Sequence, residues 1–229
     1  MKIIFIVILI FNGFIFSQNK DPDLILKKVK EEFNKVKDYQ VDVKIKMDVD
    51  FIKVPETKAK IYFKQPDKIH FDSEGFAMLP KEGMNFSSLS FLNKNYTALF
   101  EKEEDLDGHK VSVIKVIPSS EKGDIVLTTL WVDQNENIIR KVESTTKSNG
   151  TFTIELKYEE GEKDYYLPKL MIFGFNTDKM NIPRAFSGET ETDSRKNMGK
   201  TTTGKVYITY SNYSINKGIS EKIFEKKKK

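Results

Sequence analysis

An unbroken alternation of apolar and charged residues runs from Val41 to Phe51. The apolar positions are Val41, Val43, Ile45, Met47, Val49 and Phe51, and the charged positions between them are Asp42, Lys44, Lys46, Asp48 and Asp50. Because successive side chains on a strand point to opposite faces, this pattern predicts a long β-strand with one apolar and one solvated face. A charged outer face excludes a strand buried on both sides. It favours an antiparallel sheet that covers something apolar on one side.

Composition limits the possible functions of the chain. Its 229 residues fit one all-β domain, which we expect to span 21–225 and to end in a basic tail at 226–229. The 38 basic and 34 acidic residues are interspersed, so no nucleic-acid groove is indicated. The sequence contains no cysteine, which excludes disulfides, thiolate nucleophiles and thiolate metal sites.

The first 17 residues have the layout of a signal peptide. Lys2 precedes an apolar run from Ile3 to Ile10, and a second run from Phe14 to Phe16 leads to the small residue Ser17. Polar Asn12 and small Gly13 interrupt this stretch, which argues against a retained membrane anchor. We therefore expect cleavage of residues 1–17 and export of a soluble mature protein.

A helix is predicted immediately before the first strand. Asp21 is a plausible N-cap with Pro22 in the first turn, and Leu26, Val29, Phe33 and Val36 recur at helical spacing. This apolar stripe needs a surface to pack on, and the apolar face of the first strand is the nearest one. Two interpretations stay open at this point: the helix fills a core, or it also lines a ligand cavity.

Strand patterns recur along the rest of the chain, separated by short turns that include Asn149-Gly150 and Asp107-Gly108. About ten strands are predicted, at 41–51, 58–64, 68–73, 96–101, 109–117, 124–132, 137–146, 151–158, 167–175 and 204–210. The short connections favour an up-and-down order in one strongly curved antiparallel sheet. A mobile loop is predicted over 176–203, which is rich in polar and charged residues.

An apolar segment without strand or helix periodicity follows the third strand, between Phe76 and Leu92. A long hydrophobic loop is costly in water, so we expect this one to fold over an apolar surface. It is either a lid over a cavity or a loop that closes the core. The candidate lid residues are Phe76, Met78, Leu79, Met84, Phe86 and Leu89.

Two phrases in the sequence carry a resemblance to a known family. They are Ala59-Lys-Ile-Tyr-Phe-Lys-Gln-Pro-Asp-Lys-Ile-His70 and Leu130-Trp-Val-Asp-Gln-Asn-Glu-Asn-Ile-Ile-Arg-Lys-Val-Glu143. Together with the exported N-terminus and the helix, they resemble the LolA-type outer-membrane lipoprotein carriers over essentially the whole mature chain. The resemblance implies an unclosed, or half, β-barrel whose helices cover a hydrophobic cavity. It also implies periplasmic carriage of lipoproteins by their acyl chains, between an inner-membrane donor and an outer-membrane acceptor.

The candidate cavity wall consists of apolar residues on the first three strands. These are Val43, Ile45, Met47, Val49, Ile61, Phe63 and Phe71. A monomeric carrier of lipoproteins or of another lipid is the favoured function. An envelope sensor or protein-binding module of the same fold is the alternative.

Features that could support catalysis or metal binding are weak. His70 and His109 lack ligand-spaced histidine neighbours. The acidic cluster of Glu101, Glu103, Glu104, Asp105 and Asp107 lacks the spacing of a calcium loop, and we expect it to form a solvated turn. Ser119-Ser120-Glu121-Lys122 matches a Ser-x-x-Lys string but lies between two strands. We therefore expect no catalytic residue, metal site or cofactor, and no enzyme.

Overall fold

The computed structural model describes residues 20–49, 55–72, 95–119, 123–148, 150–161, 164–177 and 202–225. Its elements, in chain order, are α1 (Pro22–Asn34), β1 (Asp38–Val49), β2 (Thr57–Lys64), β3 (Lys68–Asp72), β4 (Tyr96–Leu106), β5 (His109–Pro118), β6 (Ile125–Asp133), β7 (Ile139–Thr146), β8 (Thr151–Lys157), β9 (Leu170–Thr177) and β10 (Thr202–Ile215). A short 3₁₀ helix, Glu221–Ile223, follows β10. The helix and all ten predicted strands are therefore confirmed.

All ten strands belong to one antiparallel sheet in the order β3-β2-β1-β10-β9-β8-β7-β6-β5-β4. Each strand pairs with its neighbour in sequence, except that β1 joins β10 and no pairing links β3 to β4. Within the described residues β3 and β4 are therefore the two edges. The sheet is unclosed, as predicted.

The helix begins where the capping pattern predicts. The Asp21 carboxylate accepts hydrogen bonds from the backbone N–H groups of Asp23 at 2.9 Å and Leu24 at 3.4 Å. Pro22 follows at the first helical position, where its missing N–H costs nothing. On the side facing the sheet, Leu26 and Val29 are buried against the strands.

The faces of β1 also agree with the alternation in the sequence. Val41, Val43 and Ile45 are 1–3% exposed and belong to the same core as Leu26 and Val29 of α1. We call this side of the sheet the inner face. Lys44, Lys46 and Asp48, on the outer face, are exposed.

The two ends of the sheet differ in the connections that they carry. At the proximal end, where β1 begins at Asp38, the connections include the two-residue turn Asp107-Gly108 and the longer segment between β8 and β9. At the distal end, where β1 finishes at Val49, β3 and β9 finish and β4 and β10 begin. The two longest connections in the sequence therefore both leave from the distal end.

Two predicted turn or loop segments have the wrong bounds, and several strands also begin or end a few residues from their predicted positions. The acidic residues from Glu101 to Asp105 do not form a turn but continue β4, which pairs with β5 as far as Leu106 opposite His109. An edge strand tolerates such charges because their side chains reach water, and Glu101 pairs with Lys115 at 2.7 Å. The predicted loop over 176–203 is also shorter at both ends. Asn176 and Thr177 pair with Thr203 and Thr202, and residues 178–201 lie outside the described part of the chain.

Candidate functional site

The inner face carries a group of half-buried apolar side chains towards its distal end. We call this group the distal band, and it consists of Met47, Tyr96, Ala98, Phe152, Phe173 and Phe175. The strand register explains the grouping. Met47 and Phe173 both pair with Val206, and Phe175 pairs with Phe152. These side chains all pack against the core without being fully covered.

Aromatic contacts hold the centre of the distal band together. The ring centroids of Phe152 and Phe173 are 5.7 Å apart, and those of Phe173 and Phe175 are 6.0 Å apart. Both pairs are tilted rather than stacked face to face, as aromatic quadrupoles favour. On the β4 side, the Lys30 ammonium of α1 lies 5.8 Å from the centre of the Tyr96 ring. The phenylalanines of β8 and β9 therefore form one apolar cluster, and Tyr96 lies beside a cation at the β4 edge of the sheet.

Polar groups on the inner wall are few. Thr128 and Ser144 face each other across β6 and β7, and their buried hydroxyls hydrogen bond at 2.9 Å. Since they satisfy each other, this pair costs the wall little. In the described part of the chain, the buried carboxylates are Asp38 and Asp133, at the proximal ends of their strands. The distal band itself has no buried charge among these residues.

The charged cluster at the proximal end has a structural explanation. Asp133 accepts hydrogen bonds from Arg140 Nε at 2.6 Å and from the backbone N–H groups of Asn135 and Glu136 at 2.8 and 3.1 Å. His109 Nδ1 lies 3.4 Å from the same carboxylate. Among the residues described by the structure, no group of three or more histidine and acidic side chains could hold a metal ion. The cluster ties the β6–β7 turn to β5.

Comparison with solved structures identifies the fold. A DUF1329 family protein from Desulfovibrio piger superposes with a TM-score of 0.60 at 13% identity, over 90% of this chain and 98% of that one. A LolA superfamily protein from Nitrosomonas europaea gives 0.59 at 14% identity, with the same coverage of 90% and 98%. This chain has a LolA-like fold.

A third structure agrees with this fold. It is a putative outer-membrane lipoprotein-sorting protein domain from Vibrio parahaemolyticus, with a TM-score of 0.55 at 13% identity over 90% of this chain and 98% of that one. No family model matches the sequence, and no curated protein matches it. The similarity to LolA-like proteins is thus detected in the three-dimensional structure and not in the sequence.

The structure separates the seven predicted cavity residues into groups. Val43, Ile45, Ile61 and Phe63 are core residues with 1–5% exposure. Phe63 packs between Phe33 and Tyr39 at the proximal end. Met47 belongs to the distal band, and Phe71 is half-buried on β3. Val49 pairs with Gly204 at the end of β1, but its side chain is not among the groups that the structure describes. Their role in ligand binding stays a prediction.

The six predicted lid residues, Phe76, Met78, Leu79, Met84, Phe86 and Leu89, all lie outside the described residues. The prediction also omitted five members of the distal band, namely Tyr96, Ala98, Phe152, Phe173 and Phe175. Phe152 and Phe173 each occupy an alternate apolar position of a predicted strand, so period-two patterning could have identified them. What was missing was the strand order that brings them beside Met47.

Among the described residues, no helix is both long and apolar enough to cross a bilayer.

Proposed function

We propose that this LolA-like protein is a periplasmic carrier that binds the acyl chains of lipoproteins, or another lipid, against the distal band. The observation that carries the proposal is the band itself. Its six apolar side chains lie on the inner face of the sheet but are only half-buried. An acyl chain laid on them would remove apolar surface from water on both partners.

The energetics suit reversible transport. Each methylene taken out of water contributes about 0.8 kcal/mol, so one chain of ordinary length is held firmly by a wall of this kind. Because this attraction is non-directional, an acceptor that offers an equivalent apolar site can take the chain without a chemical step. This supports a binding protein rather than an enzyme. The proposal includes an inner-membrane donor that supplies the cargo, an outer-membrane acceptor that receives it, and a monomeric carrier between them.

The proposal is tested on the exported protein purified from the periplasm. Organic extraction followed by mass spectrometry should release lipid, and a fluorescent fatty-acyl probe should bind the delipidated protein. Phe173→Ala should lower the affinity for the probe at least about tenfold, because burying a phenylalanine ring contributes about 1.5–3 kcal/mol. The matched control is Leu99→Ala, which removes an apolar side chain that is 49% exposed on β4, outside the band.

Circular dichroism should first establish that both variants are folded. An absence of extractable lipid together with no probe binding would overturn the carrier assignment. In that case the envelope sensor or protein-binding module of the same fold would replace it. Equal probe affinity in the Phe173→Ala and Leu99→Ala proteins would show that lipid binds somewhere other than the distal band.

A further inference from the structure

A cavity of about 410 Å³ lies at the proximal end of the sheet. Its walls come from the connection between β8 and β9, beginning directly after β8, and from the C-terminal part of β10. Of the nine tyrosines in the sequence, five line this cavity: Tyr158, Tyr165, Tyr166, Tyr210 and Tyr213. A sixth, Tyr39, contacts Tyr213 edge to face at 5.7 Å. We call this cavity the tyrosine pocket.

A bulge in β10 builds one wall of the pocket. Between the pairs Gln40–Ser214 and Asp42–Ser211, β10 contains one residue more than β1. Asn212 takes up the distortion in a left-handed conformation with φ of 57°. Residues three apart on a regular strand face opposite sides, but the extra residue turns Tyr213 to the same side as Tyr210. Their rings then stack, with centroids 6.1 Å apart and planes at 17°.

The hydroxyl groups around the pocket fall into two classes. The Tyr158 hydroxyl donates to the Ile139 carbonyl at 2.9 Å, and the Tyr213 hydroxyl donates to the Pro168 carbonyl at 2.8 Å. These two bonds fix the rings as walls. The hydroxyls of Tyr165 and Tyr166, by contrast, make no hydrogen bond with any residue in the described ranges. Within those ranges, both hydroxyls keep their hydrogen-bonding capacity for a ligand.

The lining carries no net charge. Its charged side chains are Glu159 and Lys169, which form an ion pair at 3.3 Å. Burial raises the pKa of Tyr158 and Tyr210 far above the usual value, so their hydroxyls stay protonated at any physiological pH. The Ser211 hydroxyl and the Asn212 amide, by contrast, donate to Asp42 of β1, at 3.5 and 3.0 Å. This lining matches a neutral ligand with several hydrogen-bonding groups better than an ion or an acyl chain.

The pocket is separate from the distal band. Between them on the inner face lies a packed row formed by Ile208, Met171 and Leu156, which pair with one another across β10, β9 and β8 and are 1–3% exposed. Tyr210 lies four residues beyond Val206 along β10, a distance of about 13 Å at ordinary strand spacing. The two sites therefore do not share side chains. A ligand can therefore bind in the tyrosine pocket whether or not the distal band binds lipid.

We propose that the tyrosine pocket binds a neutral sugar ring. The C–H face of a pyranose is flat and apolar and lies well on a fixed tyrosine ring, while its hydroxyls at the edge need hydrogen-bonding partners. The pocket supplies both, because tyrosine rings form much of its lining and the hydroxyls of Tyr165 and Tyr166 have no hydrogen-bond partner among the described residues. Its volume also falls in the range of small-ligand sites, about 300–1,000 Å³.

The test uses the full-length exported protein and three neutral disaccharides, maltose, cellobiose and chitobiose, as probes. Saturation-transfer difference NMR should detect binding of at least one. Tyr166→Ala should lower the affinity for that sugar about tenfold, since it removes a ring contact and a hydroxyl together. Tyr166→Phe, which keeps the ring, should give a smaller loss. Tyr62→Ala is the matched control, because Tyr62 is a half-buried tyrosine on β2 that contacts His70 away from the pocket.

Three results would overturn the inference. One is a lack of saturation transfer to all three sugars. Another is equal sugar affinity in the Tyr166→Ala and Tyr62→Ala proteins. A third is a loss of fatty-acyl probe binding in folded Tyr166→Ala, because the pocket would then belong to the lipid site. Unchanged acyl binding beside lost sugar binding is the expected pattern, and it is independent of whether the protein is a carrier.

Discussion

The ring of Phe33, in the last turn of α1, lies 5.9 Å from the ring of Phe63 at the proximal end of β2. Phe63 in turn lies 5.1 Å from the ring of Tyr39 on β1. Three segments that are separate in sequence therefore meet at one aromatic cluster. It anchors the C-terminal end of the helix to the two strands that follow it. The helix is thus an integral part of the core at this end of the sheet.

Truncation of Leu26 tests how firmly the helix is anchored. Leu26 is fully buried against the inner face, so Leu26→Ala should lower the free energy of unfolding by about 2–5 kcal/mol. Leu24 offers a control on the same helix, since it is 52% exposed. Leu24→Ala should change stability by less than about 0.5 kcal/mol. Urea unfolding followed by circular dichroism measures both. Similar small effects at the two positions would mean that the helix is not packed on the sheet in solution.

Acid stability should depend on Asp133. Burial by itself raises the pKa of this carboxyl, but the hydrogen bonds from Arg140 and from the N–H groups of Glu136 and Asn135 outweigh it and hold the pKa below its usual range. A lowered pKa in the folded state stabilises the protein above the unfolded value of about 3.9. That stabilisation disappears as the pH falls through the lower, folded value.

The variant that isolates this contribution is Asp133→Asn. It should destabilise the protein at neutral pH by on the order of 2 kcal/mol, because the Arg140 guanidinium, 10% exposed, loses its buried partner and keeps only Glu136, at 2.9 Å. It should also flatten the dependence of stability on pH below about 4. Glu101→Gln, which breaks the exposed pair with Lys115, should cost less than about 1 kcal/mol. Urea unfolding at a series of pH values gives both results. An acid limb as steep as that of the parent would rule out this role for Asp133.

Much of the fold could be predicted because the strands have one apolar and one solvated face. The alternation from Val41 to Phe51 located β1 and its buried side, and the turn signal Asp107-Gly108 located a hairpin. Local patterns could not show where β4 ends, because charged residues such as Glu103 suit both an exposed turn and an edge strand. The β10 bulge at Asn212 also has no local signal. It becomes visible only from the pairing with β1.

Contacts between distant parts of the chain account for the rest. The Asn216 side-chain oxygen accepts a hydrogen bond from the Lys37 N–H at 2.6 Å, and the backbone N–H of Asn216 donates to the Asp38 carbonyl at 2.8 Å. Nothing in the local sequence links these positions. The candidate site has the same origin. Met47 and Phe173 are both apolar strand residues in sequence, but only the strand order places them on either side of Val206.

A side chain larger than hydrogen at Gly174, on β9, should destabilise the protein because Thr153 lies next to it on β8. A β-carbon at position 174 would lie 2.7 Å from Oγ1 of Thr153, well inside van der Waals contact. Gly174→Ala should therefore destabilise the protein by about 1–3 kcal/mol. Adding Thr153→Ala should remove most of that cost, so the double variant should be more stable than the sum of the single changes predicts. Simple additivity in urea unfolding would show that the two sites do not clash.

Met47 and Ile45 separate binding from packing on one strand. Ile45 is 3% exposed and fully packed, so Ile45→Ala should cost about 2–5 kcal/mol of stability. Met47 lies two residues further along the same face but is only half-buried in the distal band. Its truncation leaves less unfilled space, so Met47→Ala should lower the free energy of unfolding by clearly less than Ile45→Ala does. If the distal band binds acyl chains, Met47→Ala should also lower the affinity for the fatty-acyl probe.

Lys46→Ala, on the outer face between these two positions, is the control and should change stability by less than about 0.5 kcal/mol without altering probe affinity. Urea unfolding of the lipid-free protein gives the stabilities, and titration with the fluorescent probe gives the affinities. A Met47→Ala protein that loses several kcal/mol of stability but binds the probe as well as the parent would show that β1 faces a closed core along its whole length. Since Met47 is the member of the distal band on β1, the acyl chain would then have to be bound by β4, β8 and β9 alone.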